Sequence, residues 1–219
     1  NDSNPQSYTI EDADITLFNA AKTGYAFKGW YYNADFSGGA VTTIDTAGII
    51  DIILYAKFTP EQYELTFNGN GGSVSFGTLT VEFDKAIGEL PVATREHYLF
   101  DSWNTAADGT GNTITAATIY KTPSDSTAYA VWIPVQYQIN YYLNGGANST
   151  ENPSSYTILD EIVLSGASKT GYDFDGWYAN SGFTGERILK INEGTTGPVS
   201  LYANFIPREY KLNYNVNGG

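Results

Sequence analysis

One motif occurs three times in 219 residues. Gly24-Tyr25-Ala26-Phe27-Lys28-Gly29-Trp30 comes back as His97-Tyr98-Leu99-Phe100-Asp101-Ser102-Trp103 and as Gly171-Tyr172-Asp173-Phe174-Asp175-Gly176-Trp177, a period of about 73 residues. Two further series keep the same spacing. Leu54-Tyr55-Ala56-Lys57-Phe58 recurs from Ala128 to Trp132 and from Leu201 to Phe205, and Tyr63 to Gly72 recurs from Tyr137 to Gly146 and from Tyr210 to Gly219. A fixed period of this kind dictates a tandem array of equal small modules, each burying its own apolar face.

The phase of the repeat sets the expected boundaries. Residues 1–60 form module 1, which lacks its opening strand. Residues 61–134 form module 2 and residues 135–207 form module 3. Residues 208–219 are expected to be the first strand of a fourth module. Junctions fall at Thr59-Pro60, Ile133-Pro134 and Ile206-Pro207. Proline fixes its own φ and drives the residue before it toward extended backbone, so these connections are short and stiff. The absence of methionine, and a last motif that stops at Asn217-Gly218-Gly219, lead us to expect a processed or excised segment of a longer chain.

Within module 2, Tyr63 to Asn68 alternates apolar and polar residues, as a half-buried strand does. Gly69-Asn70-Gly71-Gly72 supplies turn residues that tolerate positive φ. Thr78 to Phe83 alternates again and completes a hairpin. Tyr98 to Ser102 is a third strand, and Asn104 to Asn112 is a polar, Gly-containing connection. Thr113 to Tyr120 reads equally as a short strand or as one helical turn. Ala128, Ala130 and Trp132 share a face of the closing strand; the other copies place Leu54, Ala56, Phe58 and Leu201, Ala203, Phe205 there. The middle copy trades Leu for Ala where it trades Phe for Trp, the compensation expected of a packed core. About seventy residues is small for an independent core. The tyrosines (18), phenylalanines (11) and tryptophans (4) are what supply the buried area, since there is no cysteine for a disulfide.

These motifs together resemble the Listeria–Bacteroides repeat, the B-repeat type of internalin-like bacterial surface proteins. The resemblance rests on a strand ending in Asn-Gly-Gly, on Lys-Thr-Gly-Tyr-x-Phe-x-Gly-Trp-Tyr (residues 22–31 and 169–178), and on Leu-Tyr-Ala-x-Phe. The middle copy departs from it with Arg95-Glu96-His97, Ser102 and Asn104. The resemblance implies mainly β modules with short helical turns, an α+β, β-grasp-like fold. It also implies secretion and a repeat array at the bacterial cell surface or cell wall, with no defined enzymatic activity.

Composition narrows the function classes. Eleven Lys and Arg against 24 Asp and Glu give a net charge of −13, spread over all three modules. Such a chain repels nucleic-acid phosphate. No apolar run reaches the ~20 residues of a membrane span, so direct membrane insertion is not expected. No cofactor or metal motif is present. The lone histidine, His97, stands in the slot of Gly24 and Gly171 and reads as a loop substitution. Glu11-Asp12-Asp14, Asp160-Glu161 and the corresponding Asp84-Lys85 read as solvated turn residues. Asn104 to Asn112 lacks calcium-loop ligand spacing, and Asp35-Phe36-Ser37-Gly38-Gly39 and Phe183-Thr184-Gly185-Glu186 fill the same connection.

Two functional expectations follow. The first is a non-enzymatic spacer or stalk that displays weak contacts many times over, for adhesion or for binding a host or bacterial surface protein. The second is a carbohydrate-binding array. Trp30, Trp103 and Trp177 are expected in the core, which leaves Tyr31, Tyr32 and Tyr178 as the possible ligand platform, because neighbours in a strand face opposite sides. The unpaired first and last strands further suggest head-to-tail self-association.

Overall fold

The computed structural model describes residues 3–218, so Gly219, the last residue of the final motif, lies outside them. Module 1 contains β1 (Ile15–Thr16), β2 (Tyr25–Tyr31), β3 (Thr43–Ile44) and β4 (Tyr55–Pro60). Module 2 contains β5 (Gln62–Asn68), β6 (Ser73–Val74), β7 (Thr78–Glu82), β8 (Ala93–Thr94), β9 (Tyr98–Asn104), β10 (Thr113–Ile114) and β11 (Ser126–Pro134). Module 3 contains β12 (Tyr137–Tyr142), β13 (Ser155–Tyr156), β14 (Ile162–Val163), β15 (Tyr172–Tyr178), β16 (Lys190–Ile191) and β17 (Val199–Pro207). By its contacts the chain divides into two units, Asn1–Thr94 with Phe100–Val131 and Arg95–Leu99 with Trp132–Gly219.

The same wiring underlies modules 2 and 3. The sheet orders are β10-β9-β11-β5-β7 and β13-β12-β17-β15. In each, the closing strand lies beside the opening strand and runs parallel to it. Ser126 to Tyr129 register with Leu65 to Asn68, and Val199 to Tyr202 register with Ile139 to Tyr142. The closing strand is thereby buried on both edges, and Ala128, Ala130, Leu201 and Ala203 are 0% exposed. The expected alternation of the closing strand is borne out by these positions.

Module 1 has only the other half of this arrangement. Its β4 pairs antiparallel with β2 and, among the described residues, has no second neighbour. The ladder begins at Tyr55, three residues later than the equivalent ladders beginning at Ser126 and Val199. Leu54 and Ala56 are only half-buried. Both differences have one cause: without a parallel neighbour, neither the early hydrogen bonds nor the covering side chains exist.

Among the described residues there is no helix, so the expected short helical turns and the β-grasp-like detail are not found. Thr113 to Tyr120 shows why. Thr113–Ile114 pairs with β9. The chain then turns, with the Thr118 amide donating to the Thr115 carbonyl (3.0 Å) and the Thr115 amide to Thr118 Oγ1 (2.8 Å). Threonine hydroxyls offer the backbone a partner that competes with helix. The remaining connections form short two-stranded ladders, β1–β3, β6–β8 and β14–β16.

The junctions repeat as well. The residue after each junction proline donates its amide to one carbonyl of the preceding module: Glu61 to Gly24 (2.9 Å), Val135 to His97 (3.0 Å) and Arg208 to Gly171 (2.9 Å). Those three acceptors all have left-handed backbone, with φ of 77°, 65° and 80°. The turn aims its carbonyl at the incoming chain, which is why glycine fills two of the slots. His97 adopts the same φ, and its Nδ1 lies 2.8 Å from the Tyr137 hydroxyl. At the first junction the Tyr25 ring meets Phe83 edge-on, and its hydroxyl donates to Asp84, which also pairs with Lys121.

Candidate functional site

The indoles organise each module. Trp30, Trp103 and Trp177 each donate Nε1–H to a backbone carbonyl twelve residues upstream: Phe18 (2.9 Å), Pro91 (3.2 Å) and Ser165 (3.0 Å). A buried indole needs such an acceptor, and the loop before the third strand supplies it in every copy. Trp103 and Trp177 are 2% exposed. Each meets an aromatic ring of the opening strand: Phe67 with Trp103 at 4.9 Å, and Tyr141 with Trp177 at 5.2 Å. Among the described residues Trp30 has no such opening-strand partner, and it remains half-exposed. Trp103 and Trp177 are core residues, as the sequence predicts, whereas Trp30 is only half-buried.

The structure separates the three platform tyrosines. Tyr32 is 51% exposed, whereas Tyr178 is only 8% exposed. Tyr31 is half-buried, packed edge-on against Phe36 with Lys57 Nζ 5.4 Å from the ring. Tyr178 therefore does not present a ring face to solvent, contrary to the alternation argument. The connection after β15 folds back, Phe183 takes a positive φ of 53°, and its ring packs against Tyr178 at 5.9 Å. The Tyr178 hydroxyl donates to Asp175 (2.7 Å), which also binds Asn204 and Arg187; the tyrosine hydrogen bond is the largest influence holding the Asp175 carboxyl below its ordinary range. In module 2 the same position is Asn104. It is buried, donates to the Gly109 and Gly111 carbonyls and accepts from the Ala106 amide. The residue after the tryptophan thus builds the hairpin loop.

The acidic loops act locally. Asp12 accepts from the amide and hydroxyl of Thr9, and Asp160 from those of Thr157, the same turn in two copies. These bonds lower the Asp160 carboxyl below its ordinary range. Glu161 pairs with Lys190 (2.7 Å). Asp108 accepts from the amide and hydroxyl of Thr110 within the β9–β10 hairpin. Among the described residues no group of three or more His, Asp or Glu converges to hold a metal ion.

One concavity belongs to module 1. A groove of about 730 Å³ is lined by Ile10, Ile15, Leu17, Trp30, Ile44 and Leu54, among others. A second depression of about 480 Å³ brings together Tyr32, Tyr55, Asp45 and Asp51. Sequence reasoning named Tyr32 but neither groove, because both depend on which neighbours β4 has.

The family model of the Listeria-Bacteroides repeat domain matches residues 1–57, 63–131 and 137–204. Two curated relatives come from Evansella cellulosilytica. One, described as a Gly-rich membrane protein, is 28% identical over 217 residues, covering 92% of this chain and 24% of the relative. The other, described as a membrane protein, is 28% identical over 210 residues, covering 90% and 29%. The chain thus spans about a quarter of the length of these relatives. No solved structure matches. No helix among the described residues is long and apolar enough to cross a membrane. With three successive matches across nearly its whole length, the chain belongs to the Listeria-Bacteroides repeat domain family.

Proposed function

We propose that this chain is a non-enzymatic extracellular repeat region of a bacterial surface protein. It acts as a load-bearing spacer that holds other parts of that protein away from the envelope and multiplies weak contacts with surface proteins. The observation carrying this reading is the pairing of opening and closing strands. They are adjacent and parallel in modules 2 and 3, so the chain enters at one end of the shared ladder and leaves at the other. Tension along the chain loads those hydrogen bonds together, in shear, rather than one after another. The residue after each junction proline is tied to the preceding module by an amide-to-carbonyl bond. The names of the membrane-protein relatives support placement at the cell envelope. Removing repeats from the parent surface protein tests the reading. Antibody access to its distal part and adhesion should fall with each repeat removed; access and adhesion that ignore repeat number would contradict it.

A second reading is a carbohydrate-binding array. It is favoured by the depression where Tyr32 and Tyr55 lie beside Asp45 and Asp51, rings for stacking next to carboxylates for hydroxyls. A glycan array with hits abolished by Tyr32→Ala would support it; no hits would remove it.

A further inference from the structure

Three Asn-Gly steps lie inside the complete modules: Asn68-Gly69 and Asn70-Gly71 in module 2, and Asn144-Gly145 in module 3. Asn70 and Asn144 occupy equivalent positions of the repeat. Both have left-handed backbone, with φ of 48°. Each sits in a turn closed by one hydrogen bond, from the Gly72 amide to the Gly69 carbonyl or from the Gly146 amide to the Leu143 carbonyl (2.8 Å each). Asparagine followed by glycine is the least hindered setting for attack of a backbone nitrogen on a side-chain amide, because no Cβ shields that nitrogen.

The side chains of these asparagines are held differently. Asn70 is half-buried, and its Nδ2 donates to the Ala107 carbonyl (2.8 Å) and the Ala130 carbonyl (3.0 Å). Asn68 is tied as well, its Oδ1 accepting from the Asn70 amide (2.8 Å). Asn144 is exposed, and among the described residues its side chain has no hydrogen-bond partner; its backbone carbonyl accepts from Lys169 Nζ (2.9 Å). The connection after the third strand explains the difference. In module 2 the loop after β9, tied together by Asn104, brings the Ala107 carbonyl to Asn70. In module 3 the loop after β15 closes over Tyr178 through Phe183 instead. Gly145, whose nitrogen is the nucleophile, is exposed, and among the described residues its N–H joins no backbone hydrogen bond.

We propose that Asn144 is a site of spontaneous deamidation and isomerisation, and that its equivalent Asn70 is protected. The Gly145 nitrogen gives its proton to solvent hydroxide and attacks Asn144 Cγ. The N–Cγ bond forms, the Cγ–Nδ2 bond breaks, and ammonia leaves. Water then opens the succinimide ring. Cleavage between the nitrogen and Cγ yields aspartate. Cleavage between the nitrogen and the backbone carbonyl carbon yields isoaspartate, with the chain rerouted through the side chain. Water is consumed and ammonia released, with no oxidant or reductant. Both products add a negative charge, and isoaspartate also lengthens the main chain by one carbon. The turn has no slack to absorb it. A Cβ on the adjoining Gly146 would lie 2.6 Å from Phe205 Cζ and 2.8 Å from the Ser168 carbonyl oxygen, and Ala147 bridges to Ser168. Phe205 in turn packs edge-on against Phe174 at 5.7 Å. Module 3 therefore loosens with age where module 2 does not. The reaction stands independently of the spacer reading.

Peptide mapping by mass spectrometry of the intact chain, aged at mildly alkaline pH, tests the proposal. The folded chain should exchange NH2 for OH at Asn144 and gain isoaspartate there, read as methyl acceptance from an isoaspartyl methyltransferase. Conversion at Asn70 should be about thirtyfold slower, the factor that two net hydrogen bonds represent. In guanidinium chloride, where turns and anchors are gone, Asn70 and Asn144 should convert at matching rates, since glycine follows both. Asn144→Gly keeps the left-handed turn and should abolish the module 3 product together with the age-dependent fall in its thermal transition. Asn217-Gly218 gives a peptide of its own and is read apart. Conversion of Asn70 as fast as Asn144 in the folded chain overturns the proposal. So does an Asn144 that stays intact in the folded chain while the unfolded chain converts.

Discussion

Replacing Trp103 by phenylalanine isolates the indole hook. The smaller ring keeps contact with Phe67 but loses the pyrrole portion, equivalent to about two methylenes at ~0.8 kcal/mol each. It also deletes the donor to the Pro91 carbonyl. Pro91 is buried, so that acceptor is left without water, at about 1–3 kcal/mol. The sum is about 3 kcal/mol. A module of about 73 residues holds roughly 4–11 kcal/mol in total, so between about a quarter and three quarters of the margin would be lost. At ~4–8 °C per kcal/mol, the transition of module 2 should fall by about 12–24 °C. Trp30→Phe is the internal control. Its acceptor, the Phe18 carbonyl, is exposed and can be rehydrated, so the cost should be about 1 kcal/mol. Calorimetry of the intact chain, resolved into module transitions, measures both. Equal costs at the two positions, or a Trp103→Phe cost below about 1 kcal/mol, would refute the view that the hook is a buried, repeated element of the core.

Other outcomes follow from the same geometry. Gly24→Ala should destabilise more than Gly171→Ala, by about 1–3 kcal/mol in urea titrations. Both residues are left-handed, but a Cβ at Gly24 would run into the Phe83 ring, while at Gly171 it would meet nothing. Asn104→Ala should cost about 2–3 kcal/mol, because it unpairs the Gly109 and Gly111 carbonyls and the Ala106 amide. Asp84, Asp160 and Asp175 are held below the ordinary carboxylate range, Asp84 first by the Lys121 hydrogen bond and then by Tyr25. Their stabilisation is complete above the unfolded value of about 4 and is lost as pH falls below it, which acid titration followed by circular dichroism checks. At the other extreme, Tyr63 is pushed up to about 12, chiefly by its hydrogen bond to Glu61. Its contribution is present below pH ~10 and lost as pH rises through about 12, and Glu61→Gln should weaken that alkaline dependence.

The sequence carried the repeat, the closing-strand face of modules 2 and 3 and two of the three expected core tryptophans, Trp103 and Trp177, because each recurs at a period that packing explains. What escaped were features set by side chains distant in sequence. The turn at Thr115–Thr118 has no 3.6-residue pattern to betray it; hydroxyl-to-amide bonds decided it. Tyr178 follows a buried tryptophan, yet it is also covered, because a positive φ at Phe183 folds the loop over it. A register shift between Phe174 and Gly176, matched between Phe27 and Gly29, further breaks simple alternation in that strand. The junction hydrogen bonds were half legible: proline marked the place, but the left-handed acceptor was visible only as two glycines and an odd histidine.

Force spectroscopy with the chain held at its two ends tests the load-bearing array most directly. Each complete module should yield abruptly and lengthen the chain by about 250 Å, at ~3.5 Å per residue for about 73 residues. Modules 2 and 3, whose closing strands are sheared against parallel partners, should give two such steps at similar force. Module 1, with β4 paired on one side only, should yield first and at lower force. Gradual lengthening at low force without discrete steps, or a module 1 as resistant as the other two, would contradict the account.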